Sequence, residues 1–172
     1  GDQTYSGNSK LIDTSGILGS PSNVTLTATG EGTAAGDISF SGDMSNDAGT
    51  ERLTLVSDGT VSATGVMTID ELVLHGTADY SFANTGNAIS VLAAGTPQTQ
   101  TSDAEGAVTS TTAAERIGAL TLKNGAALTI GTLAAMGSGD EASGINSSGN
   151  VSLITDGAAL RVDEAIDTSI DT

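Results

Sequence analysis

A short phrase recurs along the chain with its pattern intact, and it limits the possible folds more than any other feature. It reads Leu53-Thr-Leu-Val-Ser-Asp-Gly-Thr-Val61, then Leu120-Thr-Leu-Lys-Asn-Gly-Ala-Ala-Leu-Thr-Ile130, then Val151-Ser-Leu-Ile-Thr-Asp-Gly-Ala-Ala-Leu-Arg-Val162. Each copy alternates apolar and polar residues, turns at Asp-Gly or Asn-Gly, and alternates again. Period-two alternation is the mark of a strand with one buried side. A strand–corner–strand unit that returns along the chain predicts stacked passes of the same path, a β-solenoid.

Strand anchors follow from the same alternation: Val24/Leu26, Ile38/Phe40, Leu53/Leu55, Leu72/Leu74, Ile89/Val91, Leu120/Leu122 and Val151/Leu153. Their first residues are 14, 15, 19, 17, 31 and 31 positions apart. A turn of a three-sided parallel β-helix takes about twenty residues, so the short intervals predict single rungs and each long one a rung with an excursion. The excursions are expected near 92–118, which holds Thr96-Pro-Gln-Thr-Gln-Thr-Ser-Asp103, and near 134–148, which holds Gly137-Ser-Gly-Asp-Glu-Ala-Ser-Gly144. In the first, Thr112-Ala-Ala-Glu-Arg116 reads as a polar loop, with a short helical turn as the alternative. The phrase resumes after both, so residues 1–172 are read as one domain, an all-β parallel β-helix of about eight rungs and roughly 40 Å. Asn23 and Asn150 precede strands in matching corners (Ser22-Asn-Val-Thr-Leu26, Gly149-Asn-Val-Ser-Leu153) and are expected to line up as a ladder. Gly59, Gly125 and Gly157 are expected to hold positive φ. Tyr80 and Phe82, in phase with each other, are expected to fill one bulky rung near Phe40.

Composition decides which functions are open. The chain has 21 acidic and five basic residues, a net charge of −16, no cysteine and 2% aromatics. That sign opposes phosphate backbones and anionic membrane surfaces. No run reaches the roughly 18 apolar residues of a membrane span. An acidic, Thr/Ser/Gly-rich β pattern without disulfides fits an extracellular bacterial chain. The sequence lacks an initiator Met and a signal-peptide pattern, neither end reads as a polar cap, and Ile12-Asp-Thr-Ser15 reappears as Ile166-Asp-Thr-Ser169. The segment is therefore expected to be an excerpt of a longer protein that continues head-to-tail.

Through Gly149-Asn-Val-Ser-Leu153, Gly125-Ala-Ala-Leu-Thr-Ile130 and the opening Gly1-Asp-Gln-Thr-Tyr-Ser-Gly7, the chain resembles the filamentous-haemagglutinin-like exoproteins. These are two-partner-secretion and giant tandem-repeat bacterial surface proteins, and the resemblance covers nearly all of the chain outside the two excursions. It implies a right-handed parallel β-helix, secretion to the cell surface, and a role in a fibre or in adhesion to a host or neighbouring cell. It implies no catalytic residues, and no cofactor is expected.

Read from the residues, chemistry has little to work with. His75 is the only histidine; it follows a strand beside Gly76, has no sequence neighbour suited to orient it as a base, and is expected to be an exposed corner residue. An enzyme acting on polysaccharide from a β-helix scaffold would need clustered carboxylates with basic or aromatic platforms. Two tyrosines, two phenylalanines and five basic residues leave few of those. Calcium is the stronger alternative, as in surface-layer-type modules, because acidic residues recur at corners and hard cations want several converging oxygens. Asp140 and Glu141 are the nearest local candidates, although the stretch lacks both the nonapeptide calcium repeat and the EF-hand spacing. The other corner acids, among them Asp43, Asp58 and Asp70, read as solvated. Alternating Thr25/Thr27/Thr29 and Thr60/Ser62/Thr64 raise an ice-binding face, but the rows break off from rung to rung. The sequons at Asn23, Asn146 and Asn150 read as chance in a Ser/Thr-rich chain.

Overall fold

Strands of the two large sheets alternate inward and outward side chains, and they stack so that the inward apolar residues form continuous rows. The computed structural model describes residues 1–11, 22–30, 34–46, 51–97, 99–136 and 141–168. Among them there is no helix. A six-stranded parallel sheet contains Gln3–Tyr5, Ile38–Phe40, Thr60–Ala63, Asp79–Phe82, Leu120–Asn124 and Val151–Thr155. A second, ten-stranded parallel sheet divides into two columns, which the long strands Met67–His75 and Ala88–Ala94 join by running through both. The second column holds Ser9–Lys10, Met44–Ser45, Leu128–Ile130 and Leu160–Val162 besides the front of the two long strands. The third holds Ser22–Ala28, Glu51–Ser57, Ile145–Asn146 and Ile166–Asp167 besides their ends.

Among the described residues the chain visits first, second and third columns in that order six times. Gln3, Ile38, Val61, Tyr80, Leu120 and Val151 are register partners in turn, so the passes take 35, 23, 19, 40 and 31 residues. Six passes replace the eight rungs counted from the anchors. Period-two alternation tells inward from outward, not one column from another. Val24, Leu53 and Leu72 lie on the third column, Ile89 on the second, and Ile38, Leu120 and Val151 on the first. Several of the tidy short intervals were therefore distances between columns. The repeated phrase likewise turns from third to first column at Asp58-Gly59, but from first to second at its other two copies.

The core is the set of inward rows. One row of the first column runs Tyr5, Phe40, Ala63, Phe82, Leu122 and Leu153. Tyr5 stacks on Phe40 with centroids 5.0 Å apart and 15° between planes. Ala63 then separates the Phe40 and Phe82 rings, large beside small, as dense packing requires. Tyr80 and Phe82 are both buried, with their rings 6.1 Å apart. In the third column Leu53 and Leu55 face Leu72 and Leu74, and these face Leu92 and Ala94; all are fully buried. Each such side chain contributes about 1.5–3 kcal/mol.

Corners are held by carboxylates and amides that accept backbone N–H groups of the adjoining pass. Asp2, Asp37 and Asp79 accept from Asp37, Thr60 and Ala119 at 3.2, 2.7 and 2.7 Å. Asn8 and Asp43 accept from Asp43 and Val66, and Asn87 and Asn124 from Met67 and Ile89. Asn23 and Asn150 do not line up as expected, because Asn23 belongs to a third-column strand and Asn150 precedes a first-column one; the corner side chains that link passes are those just named. Asn23 instead accepts a hydrogen bond from the Thr54 hydroxyl. Of the three phrase glycines only Gly157 has positive φ, at 72°. Gly59 is needed for space: a Cβ there would lie 2.3 Å from the Asp37 Oδ1 that holds Thr60.

Candidate functional site

The third column differs from the first in what lies on its outer side. Its outward positions form in-register rows, Arg52–Glu71–Val91 and Thr54–Val73–Ala93, with Val56 opposite His75. Arg52, Thr54, Val73, His75 and Ala93 are all buried although they point away from the core rows. Two antiparallel excursions cover Arg52, Val73, His75 and Ala93.

The shorter excursion pairs Thr132–Leu133 with Ala142–Ser143. It lays Leu133 and Ala142 on Val73 and Ala93, making a second small apolar cluster outside the sheet. Arg52 fixes its edge. The guanidinium donates to Glu71 Oε2 through Nε and Nη2 at 2.9 and 2.8 Å, and Nη1 donates to the Ala134 carbonyl at 2.5 Å. Ile145–Asn146 already belongs to the third column, so this excursion ends earlier than the alternation predicts.

The longer excursion leaves after Ala94, which is buried in the column together with Leu92 and Ala93. Thr96 and Glu115 close its neck with reciprocal backbone bonds of 3.1 and 3.0 Å. Beyond the neck, Thr99–Ser102 pairs with Val108–Thr112, and residues 100–113 are exposed. Asp103 caps its tip by accepting from Glu105 and Ala107 N–H at 3.1 and 2.8 Å. Thr112–Arg116 is extended and not helical.

His75 corrects the reading of an exposed corner residue. It is 3% exposed, and its Nδ1 lies 2.9 Å from Glu115 Oε2. The other oxygen of Glu115 accepts the Gly76 N–H at 2.5 Å. Burial pushes the Glu115 carboxyl up, but the His75 and Gly76 hydrogen bonds outweigh it and hold the group below its ordinary range. The Tyr80 hydroxyl donates to the His75 carbonyl at 2.5 Å, and burial, with the nearby Glu115 charge, holds that phenol well above its ordinary value. The partner that buries His75 comes from forty positions away, beyond the reach of a reading of sequence neighbours.

Between the excursions lies a cleft of about 300 Å³, with Thr96, Pro97 and Thr112 on one wall and Thr132, Glu141 and Ser143 on the other. Thr132 and Ser143 hydroxyls are 2.8 Å apart. Of the calcium candidates, Glu141 is exposed on this wall and Asp140 lies outside the described residues. Among the described residues no three His, Cys, Asp or Glu side chains gather as a metal site. Two of the other acids serve the backbone: Asp43 holds Val66, and Asp58 accepts from Gly36 at 2.7 Å and Gly30 at 3.0 Å, which keep its carboxyl below the ordinary value. Of the sequon asparagines, Asn146 is buried and donates to Ser143 O, Asn23 is half-buried, and Asn150 is exposed.

The first column carries a different feature. Its outward positions Thr4, Ser39, Ser62, Ser81, Thr121 and Ser152 are register partners through all six strands. The hydroxyl series noted in the sequence run along strands and do break; the unbroken row runs across them. A signal was present: every strand of this column centres on an apolar–hydroxyl–apolar triplet except the first, Gln3-Thr-Tyr5. The chain matches no protein-family model, no curated protein and no solved structure.

Proposed function

We propose that this chain is a right-handed parallel β-helix segment of an extracellular bacterial fibre or adhesin, with its rod as the structural element and its excursions as the contact surface. The observation that carries this reading is the unbroken register of the first column across six passes. Backbone ladders along one axis resist bending and stretching together, which suits a rod. Acidic outer surfaces oppose side-to-side clumping. The handedness and the cell-surface location rest on the resemblance to filamentous-haemagglutinin-like proteins.

The last pass presents apolar residues on which another copy could stack. Leu160, Val162 and Ile166 are 42%, 52% and 38% exposed, whereas Leu128 and Ile130 one pass earlier are 1% and 0% exposed. A second copy stacked on this face would cover them and pair the open strand edge. Contact with a host or neighbouring cell falls to the excursions, since a hairpin varies without disturbing the ladder beneath it.

Electron microscopy of the purified segment over a concentration series, with and without calcium, tests the reading. Fibres of uniform width without calcium are expected. Fibres only with calcium would move the function to a calcium-dependent module and bring Asp140 and Glu141 forward. Compact, monodisperse particles under both conditions would overturn self-assembly by this segment.

A further inference from the structure

Beside Arg116, which pairs with Asp167, the longer excursion meets the body of the protein at Glu115. Its backbone closes the neck against Thr96, whose hydroxyl also receives the Glu115 N–H at 3.3 Å. Its side chain reaches the other way, to His75 Nδ1 and the Gly76 N–H at the end of the third column. Past the neck come the exposed residues 100–113. A two-stranded hairpin is marginal by itself in water, so the way this one is held depends on its anchor.

We infer that the His75–Glu115 contact is an acid-releasable latch that fixes the hairpin of residues 99–112 against the third column. As a carboxylate, Glu115 accepts two hydrogen bonds, one at each oxygen, and bonds to a charged acceptor are the strong ones. Once protonated it loses that charge, and the buried His75 Nδ1 and the Gly76 N–H lose their good acceptor. His75 has nothing else to turn to, because its Nε2 is buried with no hydrogen-bond partner among the described residues.

The surrounding groups leave Glu115 as the one that releases. Tyr80 holds the His75 carbonyl and keeps its proton through the acid range. Arg116 is paired with Asp167 at 2.9 Å. Glu71, on the strand that ends in His75, is paired with Arg52 at 2.8 Å, and Asp79 is bound to the Ala119 N–H. The sign follows from linkage. Glu115 sits below its ordinary value in the folded chain, so its contribution is full above the unfolded value and is lost as pH falls through the folded one. The inference is independent of the fibre reading.

Backbone NMR of the whole chain between pH 7 and pH 3 tests it, with the Gly76 amide reporting on the carboxylate it binds. The Gly76 proton is expected to move upfield with one inflection below the ordinary glutamate value. Over the same range the order parameters of Thr101 and Thr109 are expected to fall from about 0.85 to below about 0.6, while Leu72 and Leu92 stay rigid. Glu115→Gln is expected to abolish the inflection and to give the loosened hairpin already at pH 7. His75→Gln is expected to move the inflection up toward the ordinary glutamate value. The inference fails if Thr101 and Thr109 keep their order through the Gly76 inflection, if Gly76 shows none, or if His75→Gln leaves it in place. The wild-type titration alone decides the matter should Glu115→Gln not fold.

Discussion

The first and third columns share an inner construction and diverge on their outer sides. Both stack parallel strands with apolar rows inward. The first then turns a row of hydroxyls to solvent, whereas the third turns out Arg52, Val73 and His75 and has them covered by excursions. The difference separates two jobs that a strand's alternation alone cannot distinguish. Inward residues build the stack, and outward residues decide whether anything else attaches to it.

That comparison is broken first from the inside. Phe82→Ala in the first column and Leu74→Ala in the third are expected to be about equally destabilising, at roughly 2–5 kcal/mol each, because both rows are fully buried. Urea midpoints of the two variants would measure this, and a large inequality would show that one column dominates the core. On the outer side the columns should part company. Arg52→Ala leaves Glu71 half-buried without its cation and the Ala134 carbonyl without its donor, an expected loss of about 2–3 kcal/mol. Exposure of the shorter excursion to protease should rise with it.

The corner between the two columns gives a pH-dependent difference. Asp58 holds the Gly36 and Gly30 N–H groups and sits below its ordinary value, so its contribution is present above the unfolded value and disappears as pH falls through the folded one. Asp58→Ala should therefore be less stable than the parent at neutral pH and should approach it in strong acid, as thermal melts across pH would record. Ser81→Ala, in the middle of the hydroxyl row, should shift stability by less than about 0.5 kcal/mol. A larger shift would mean that the row contributes to the stack.

The inner half of this fold was legible in the sequence because alternation is local. Leu53/Leu55, Leu72/Leu74 and Leu120/Leu122 all face inward as read. The outer half was not, because burial there depends on residues far along the chain. Arg52 is covered with the help of Ala134, 82 positions away, and His75 by Glu115, 40 positions away. A charged or polar side chain at an outward strand position has the same local signature whether or not something later folds over it. The hydroxyl row escaped for a related reason: it needs the register, and the register needs the column of each strand.

Successive passes take between 19 and 40 residues, yet the first-column partners never slip. In the 40- and 31-residue passes the surplus leaves the stack in the excursions after Ala94 and after Ile130, and the strands resume as if nothing had intervened. Such a scaffold accepts grafts. A foreign loop set into the exposed tip at residues 104–106 would alter what the stack displays while leaving intact the register of the strands beneath it.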